Sequence, residues 1–231
     1  MSCGRQRAEP THIPARIPSR GPRHGLRSPP APLIFGVMQT HPPAPDSADL
    51  TGKILIAMPG MSDDRFAHAV VFLCAHSSDG AMGLILNKPT DELSMKDLLE
   101  HLSIEPGAQM RNLAVHFGGP VEHGRGFVLH DGGYRSEIAT LDVREGFGLT
   151  ATLDVLEEMA EGRGPDKAVL ALGYAGWGPD QLEGELARND WLTCDADSAL
   201  VFDTPAERKW ETALSRLGVS ALMLSSDGGR A

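Results

Sequence analysis

Apolar positions along this chain follow two rhythms. Between residues 53 and 86 they form dense blocks, KILIAM (53–58), AVVFLCA (69–75) and AMGLIL (81–86), broken by Pro59-Gly60 and by SSDG (77–80). Short apolar blocks bounded by turn residues predict strands, and the second and third form a hairpin across the SSDG turn. From Ser94 the spacing changes. Met95, Leu98, Leu99 and Leu102 recur at helical intervals behind a Ser94/Asp97 capping pattern, so a short helix is expected to end near His101–Leu102.

Strand character returns in NLAVHF (112–117) and GFVLH (126–130), with Gly118-Gly119-Pro120 as a sharp connection between them, and again near Glu137–Leu141 and Phe147–Leu149. Thr150 is placed to cap a helix over 151–161 that turns Leu153, Leu156 and Met159 inward, and Gly162, Gly164 and Pro165 stop it. The strand AVLALG (168–173) delivers the chain into GYAGWGPDQLE (173–183), where Leu182 and Leu186 share a helical face. Trp191–Leu192 and ALVF (199–202) predict strands. Thr204-Pro205 with Glu207 predicts a capped final helix carrying Trp210, Leu214 and Leu217.

Hairpins mixed with separated helices, without sustained strand–helix alternation, predict an α+β fold rather than a doubly wound sheet. A single domain over residues 50–224 follows.

Charge separates this body from what precedes it. Residues 1–37 hold six Arg against one Glu, net +5, so an overall charge of -10 leaves -15 for the remainder. Residues 1–49 are proline-rich and are expected to be a disordered extension, with the functional protein beginning at Met38; a targeting segment or a regulatory tail are the alternatives. Residues 225–231 are expected to form a flexible tail. No stretch approaches the roughly 20 apolar residues needed to span a bilayer, so no membrane partner is expected. Three scattered cysteines, Cys3, Cys74 and Cys194, make no disulfide framework and fit a cytoplasmic location. The acidic body disfavours direct nucleic-acid binding, which depends on Lys and Arg at the phosphates.

Candidate chemistry lies in two segments. GYAGWG resembles a phosphate-cradling loop only loosely: its spacing is G-x-x-G-x-G, it lacks the Lys-Ser/Thr ending, and Asp180, Glu183 and Glu185 follow where an anion would sit. Packing at a corner is the simpler reading, with Gly173, Gly176 and Gly178 allowing close backbone approach and Tyr174 and Trp177 covering apolar surface; an exposed Trp177 would instead anchor a partner. The segment from His116 to His130 offers three imidazoles, Glu122 and Arg125, but lacks a compact metal-ligand spacing. Glu122 and Arg125 are expected to pair or form a polar rim. No G-x-S-x-G element or other activated nucleophile is visible, and Cys74 lies in an apolar strand. Neither a catalytic set nor a cofactor or metal site is expected. Gly118, Gly119, Glu122, His123, Tyr174 and Trp177 remain as candidates for an interaction surface or pocket.

Three segments, LTGKILIAMPGMSDDRFAHAVVFLCAHSSDGAMGLILNKP (50–89), HFGGPVEHGRGFVLH (116–130) and ALGYAGWGPDQLEGELARNDWL (171–192), together resemble the YqgE/AlgH family over nearly all of residues 50–224. The resemblance implies a bacterial cytoplasmic α+β protein whose mixed, largely antiparallel, bifurcated sheet curls into a pseudo-barrel with flanking helices. It carries over no catalytic residues, and a regulatory role only by the family's naming. The expected function is noncatalytic regulation or protein interaction through an unidentified partner. The alternative is a small-molecule-binding protein or enzyme using a pocket near His116–His130 or Trp177.

Overall fold

The computed structural model describes residues 49–61, 63–144 and 146–224. The expectations for residues 1–48, including the Met38 start, and for 225–231 lie outside these residues.

Nine strands among the described residues form one sheet: β1 (Lys53–Ala57), β2 (Val70–Ser77), β3 (Gly80–Ile85), β4 (Val115–Phe117), β5 (Val121–Asp131), β6 (Leu141–Arg144), β7 (Phe147–Thr150), β8 (Ala168–Trp177) and β9 (Trp191–Asp195). Their order is β6-β7-β5-β8-β3-β2-β1-β9, with β4 attached separately to β8. Four α-helices accompany them: α1 (Met95–His101), α2 (Asp154–Ala160), α3 (Gln181–Ala187) and α4 (Ala206–Arg216). The predicted β2–β3 hairpin is present, and α1 carries the expected capping box, with Ser94 Oγ accepting from the Asp97 amide at 3.2 Å and Asp97 accepting from the Ser94 amide at 2.9 Å.

The dense apolar blocks exist because both faces of the central strands are covered. Along β1, Ile54 and Ile56 enter the core beneath α4, whereas Leu55 and Ala57 enter a second core with Leu182 of α3 and Trp191. Helices α1 and α2 close a third core over Val115, Val128 and Leu170. The sheet thus curls into a half-barrel with helices on both sides.

Several local expectations change. Thr150 ends β7 instead of capping α2, and its hydroxyl bonds the His130 ring at 3.0 Å and Thr140 at 2.9 Å; tertiary partners outcompete the cap. Strand β6 starts at Leu141, where the segment expected near Glu137–Leu141 ends. ALVF belongs to a π-helical turn, Ala199–Asp203, rather than a strand. The ammonium of buried Lys209 stabilises that turn, donating to the carbonyls of Leu200 (3.1 Å), Val201 (2.8 Å) and Thr204 (2.7 Å). Thr204 does not cap α4: its hydroxyl donates to the Ala199 carbonyl at 2.8 Å.

Candidate functional site

GYAGW continues β8 to Trp177 and is not a corner; the chain turns only at Gly178–Asp180, where Asp180 takes φ 58° ahead of α3. The glycines answer a topological demand. Residues Leu170–Leu172 of β8 pair with parallel β4 and also with antiparallel β5, so β4 and β5 flank β8 on opposite sides. The connection between them therefore has to cross over β8. Gly118-Gly119-Pro120 makes that crossing at backbone contact. A Cβ on Gly118 would lie 2.2 Å from the Gly173 carbonyl oxygen, one on Gly119 2.1 Å from the Tyr174 carbonyl carbon, and one on Gly173 2.6 Å from the Gly119 oxygen. Beyond the crossing, Ala175–Trp177 pair with β3 instead of β4, which divides the sheet.

After crossing, β5 pairs once, Val121 with Tyr174, and resumes only at Gly126 with Leu172. The excursion from Glu122 to Arg125 stands out of the ladder, and Glu122 adopts φ 49°, a left-handed conformation costly for a residue with a side chain. This excursion, β8 and the β2–β3 hairpin enclose a cleft of about 470 Å³. Its volume suits a small organic ligand.

Arg125 stands on one wall. Its guanidinium lies 5.2 Å from the Phe127 ring centre, and Nη1 donates to Glu122 Oε2 at 3.1 Å. Tyr174 meets the same Phe127 ring edge-on at 5.9 Å. Burial, and then the Glu122 carboxylate, raise the phenol's pKa, so the hydroxyl remains a hydrogen-bond donor through neutral pH. On the opposite wall His76 is buried and engaged at both nitrogens: Nδ1 accepts from the Leu50 amide at 3.3 Å, so Nε2 carries the proton and donates to Glu183 at 2.8 Å.

Trp177 lines the cleft but is only 7% exposed. Its indole N–H donates to Glu185 Oε2 at 2.8 Å, and the Trp191 indole donates to the same oxygen at 2.8 Å. The exposure that an anchoring Trp177 would need is absent; its packing role is the one observed.

The structure thus brings Tyr174, Trp177 and the Glu122–Arg125 pair to one place, with Gly118 and Gly119 at the crossing behind them. His123 faces elsewhere, stacked on Phe117 at 5.9 Å. The other two imidazoles do not join it. His116 Nδ1 lies within hydrogen-bonding distance of the Ala114 and Leu170 carbonyls, and fully buried His130 is bonded to Thr150; burial lowers both pKa values. Among the described residues no group of three or more His, Cys, Asp or Glu is placed to hold a metal ion. Nothing in the sequence pattern marks Asp79 or Met82 as site residues. Their one available signal was membership in the hairpin whose open end meets β8.

A half-barrel sheet that divides where the β4–β5 connection crosses β8, with helices packed on it, defines an α+β domain of AlgH type. The chain belongs to the AlgH-like family, whose model matches residues 54–222. It is 57% identical over 185 residues to a UPF0301 protein of Jannaschia sp. strain CCS1, covering 79% of this chain and 96% of that one. It is 53% identical over 183 residues to a UPF0301 protein of Cereibacter sphaeroides, covering 79% of this chain and all of the relative. The solution structure of AlgH from Pseudomonas aeruginosa superposes with a TM-score of 0.66 at 41% identity, covering 84% of this chain and 100% of that one. A crystal structure of DIP2367 from Corynebacterium diphtheriae, at 21% identity and TM-score 0.59, covering 80% of this chain and 93% of that one, shares the fold. No helix among the described residues is long and apolar enough to cross a membrane.

Proposed function

We propose a noncatalytic, regulatory binding function in which the cleft beside Tyr174 and Trp177 takes a small ligand. The observation that carries this reading is the cleft itself, ligand-sized and lined in part by His76, Arg125 and Trp177, each held by hydrogen bonds. Preorganised walls lower the ordering cost of binding. The same locking argues against acid–base work. Both nitrogens of His76 are directed at Leu50 and Glu183, not at the neighbouring Ser77 hydroxyl, which accepts from the Asp79 amide at 3.2 Å. Direct DNA reading, suggested only by the family's naming, runs against the net charge of -10.

The test is a fragment screen read by amide chemical shifts of the full chain, with Gly176→Val as control. A Cβ on Gly176 projects toward the Tyr174 ring, 3.2 Å away, and Val121, 3.7 Å away, so the valine fills the cleft. Ligands should shift the Tyr174, Gly176 and Arg125 amides in the wild type and lose affinity at least about tenfold in Gly176→Val. If no fragment touches these amides, or the valine variant binds as well, the cleft is not the binding site.

A further inference from the structure

Past Tyr174, which pairs with Val121 of β5, strand β8 has a partner on one side only among the described residues: Ala175–Trp177 pair with β3. Which backbone groups face the open side follows from their alternation along a strand. At the end of β3 the Leu86 amide donates to Val70 beside β2 at 2.9 Å, whereas the Ile85 amide donates the other way, to Gly118 at 2.9 Å. Counted back by twos from Ile85, Gly83 and Ala81 turn their N–H and C=O groups toward β8, where they meet Ala175 and Trp177. Gly176 lies between those two, so its own N–H and C=O point to the side that β5 has left, and the residue is exposed. The next amide on that side, Gly178 N–H, is already taken by Gln181 Oε1 at 3.1 Å.

Two clefts adjoin this edge, one on each face of β8. The first carries Met82, Phe127 and Tyr174, which belong to the core beneath α4. The second, of about 360 Å³, is lined by Trp177 and Trp191 of the opposite core, and Gly176 and Trp177 border both. An extended chain does what this arrangement asks, because its successive side chains point to opposite faces while its backbone bonds the edge. A residue seated opposite Gly176 places its side chain in the first cleft, over the space that glycine leaves clear. In the antiparallel sense in which β5 already pairs, the residue before it lies opposite Trp177 and points into the second cleft. Beyond Gly176 the added chain has to leave, since Val121 occupies Tyr174.

The linings set the side chains. The first cleft suits an apolar one. The second holds Asp63, Glu185 and Asp190 against Arg65 and Arg188, on a body whose residues 38–231 carry a net charge of -15, and so favours a basic one. Resting on the reading of the first cleft as a binding site, we infer that its ligand is an extended peptide segment that adds to the Gly176 edge of β8 as an antiparallel strand, a basic residue followed by an apolar one.

The test titrates the full chain with acetyl-Thr-Lys-Leu-Gly-amide and follows amide shifts. The peptide should move the Gly176 amide proton downfield, as a new hydrogen bond does, and shift Met82 and the Trp177 indole. Methylating the leucine nitrogen, which keeps every side chain but removes the donor to the Gly176 carbonyl, should weaken binding about tenfold. Methylating the lysine nitrogen, which faces outward, should cost less than about threefold. Exchanging the order to Leu-Lys should again cost about tenfold, because each side chain then meets the wrong cleft. If the leucine-methylated or the exchanged peptide binds as well as the parent, strand addition is overturned while the cleft remains a binding site. No shift with any peptide, when screened fragments still bind the cleft, overturns this inference alone. Silence from peptides and fragments alike removes the proposed function with it.

Discussion

Replacing Glu185 with alanine removes one carboxylate that holds three donors: the indoles of Trp177 and Trp191, each at 2.8 Å, and the Gln181 amide at 2.9 Å. Both tryptophans are buried, at 7% and 3% exposure, so their N–H groups lose an acceptor where little water can reach. A hydrogen bond to a charged group contributes about 1.5–3 kcal/mol. Two such bonds give an upper figure of about 6 kcal/mol, and water entering beside half-buried Glu185 lowers the expectation to about 3 kcal/mol. For a domain of this size that corresponds to a fall in Tm of roughly 6–12 °C. Glu185→Gln keeps one carbonyl oxygen for the two indoles and should cost only about 1 kcal/mol. Urea unfolding followed by tryptophan fluorescence measures both variants. If Glu185→Ala lies within about 0.5 kcal/mol of wild type, the carboxylate does not clamp β8 to α3 and the reasoning fails.

Gly119→Ala should cost more than about 3 kcal/mol or prevent folding, because its Cβ would sit 2.1 Å from the Tyr174 backbone; soluble yield and thermal melting decide it. Ser94→Ala, which removes the hydroxyl half of the α1 cap, should cost only about 1 kcal/mol in the same melts. Burial lowers the pKa of Lys209 to about 8 from its ordinary 10.5, so between these values the unfolded chain binds a proton that the folded chain has released, and stability from this group rises with pH. The stability difference between wild type and Lys209→Met should therefore move in favour of wild type by on the order of 3 kcal/mol from pH 8 to pH 10.5; urea midpoints that keep a constant separation across that range would contradict it.

The elements legible in the sequence are those set by local chemistry or by continuous burial. The Ser94 box, the SSDG turn and the apolar blocks of β1 and β2 each state their structure within a few residues. What the sequence hid was settled by distant partners. Thr150 looks like a helix cap until His130 and Thr140, brought alongside by β5 and β6, claim its hydroxyl. ALVF has strand composition, but the Lys209 ammonium satisfies carbonyls that a π-helical turn leaves without backbone donors. The candidate site was half visible: aromatic and glycine residues marked β8, whereas Asp79 joins only through the pairing of β3 with β8.

The crossing over β8 also explains why a cleft exists at that point. A strand flanked on both sides leaves no opening, yet β4 must leave the side of β8 that β3 then takes, and its chain must pass over the backbone to become β5. Landing at Val121, it pairs with Tyr174, and four of its own residues intervene before the ladder continues at Gly126. Residues 122–125 are displaced outward by that geometry, and the displacement lifts Arg125 and Glu122 to the rim while Gly176, lacking a side chain, leaves the floor beneath them open. The glycines that permit the crossing and the glycine that keeps the floor clear thus act on different quantities. Substitution at Gly119 should reduce stability, whereas Gly176→Val should keep the fold and lose the ligand. If Gly176→Val unfolds the domain to the same extent as Gly119→Ala, then the open floor serves the sheet's own packing.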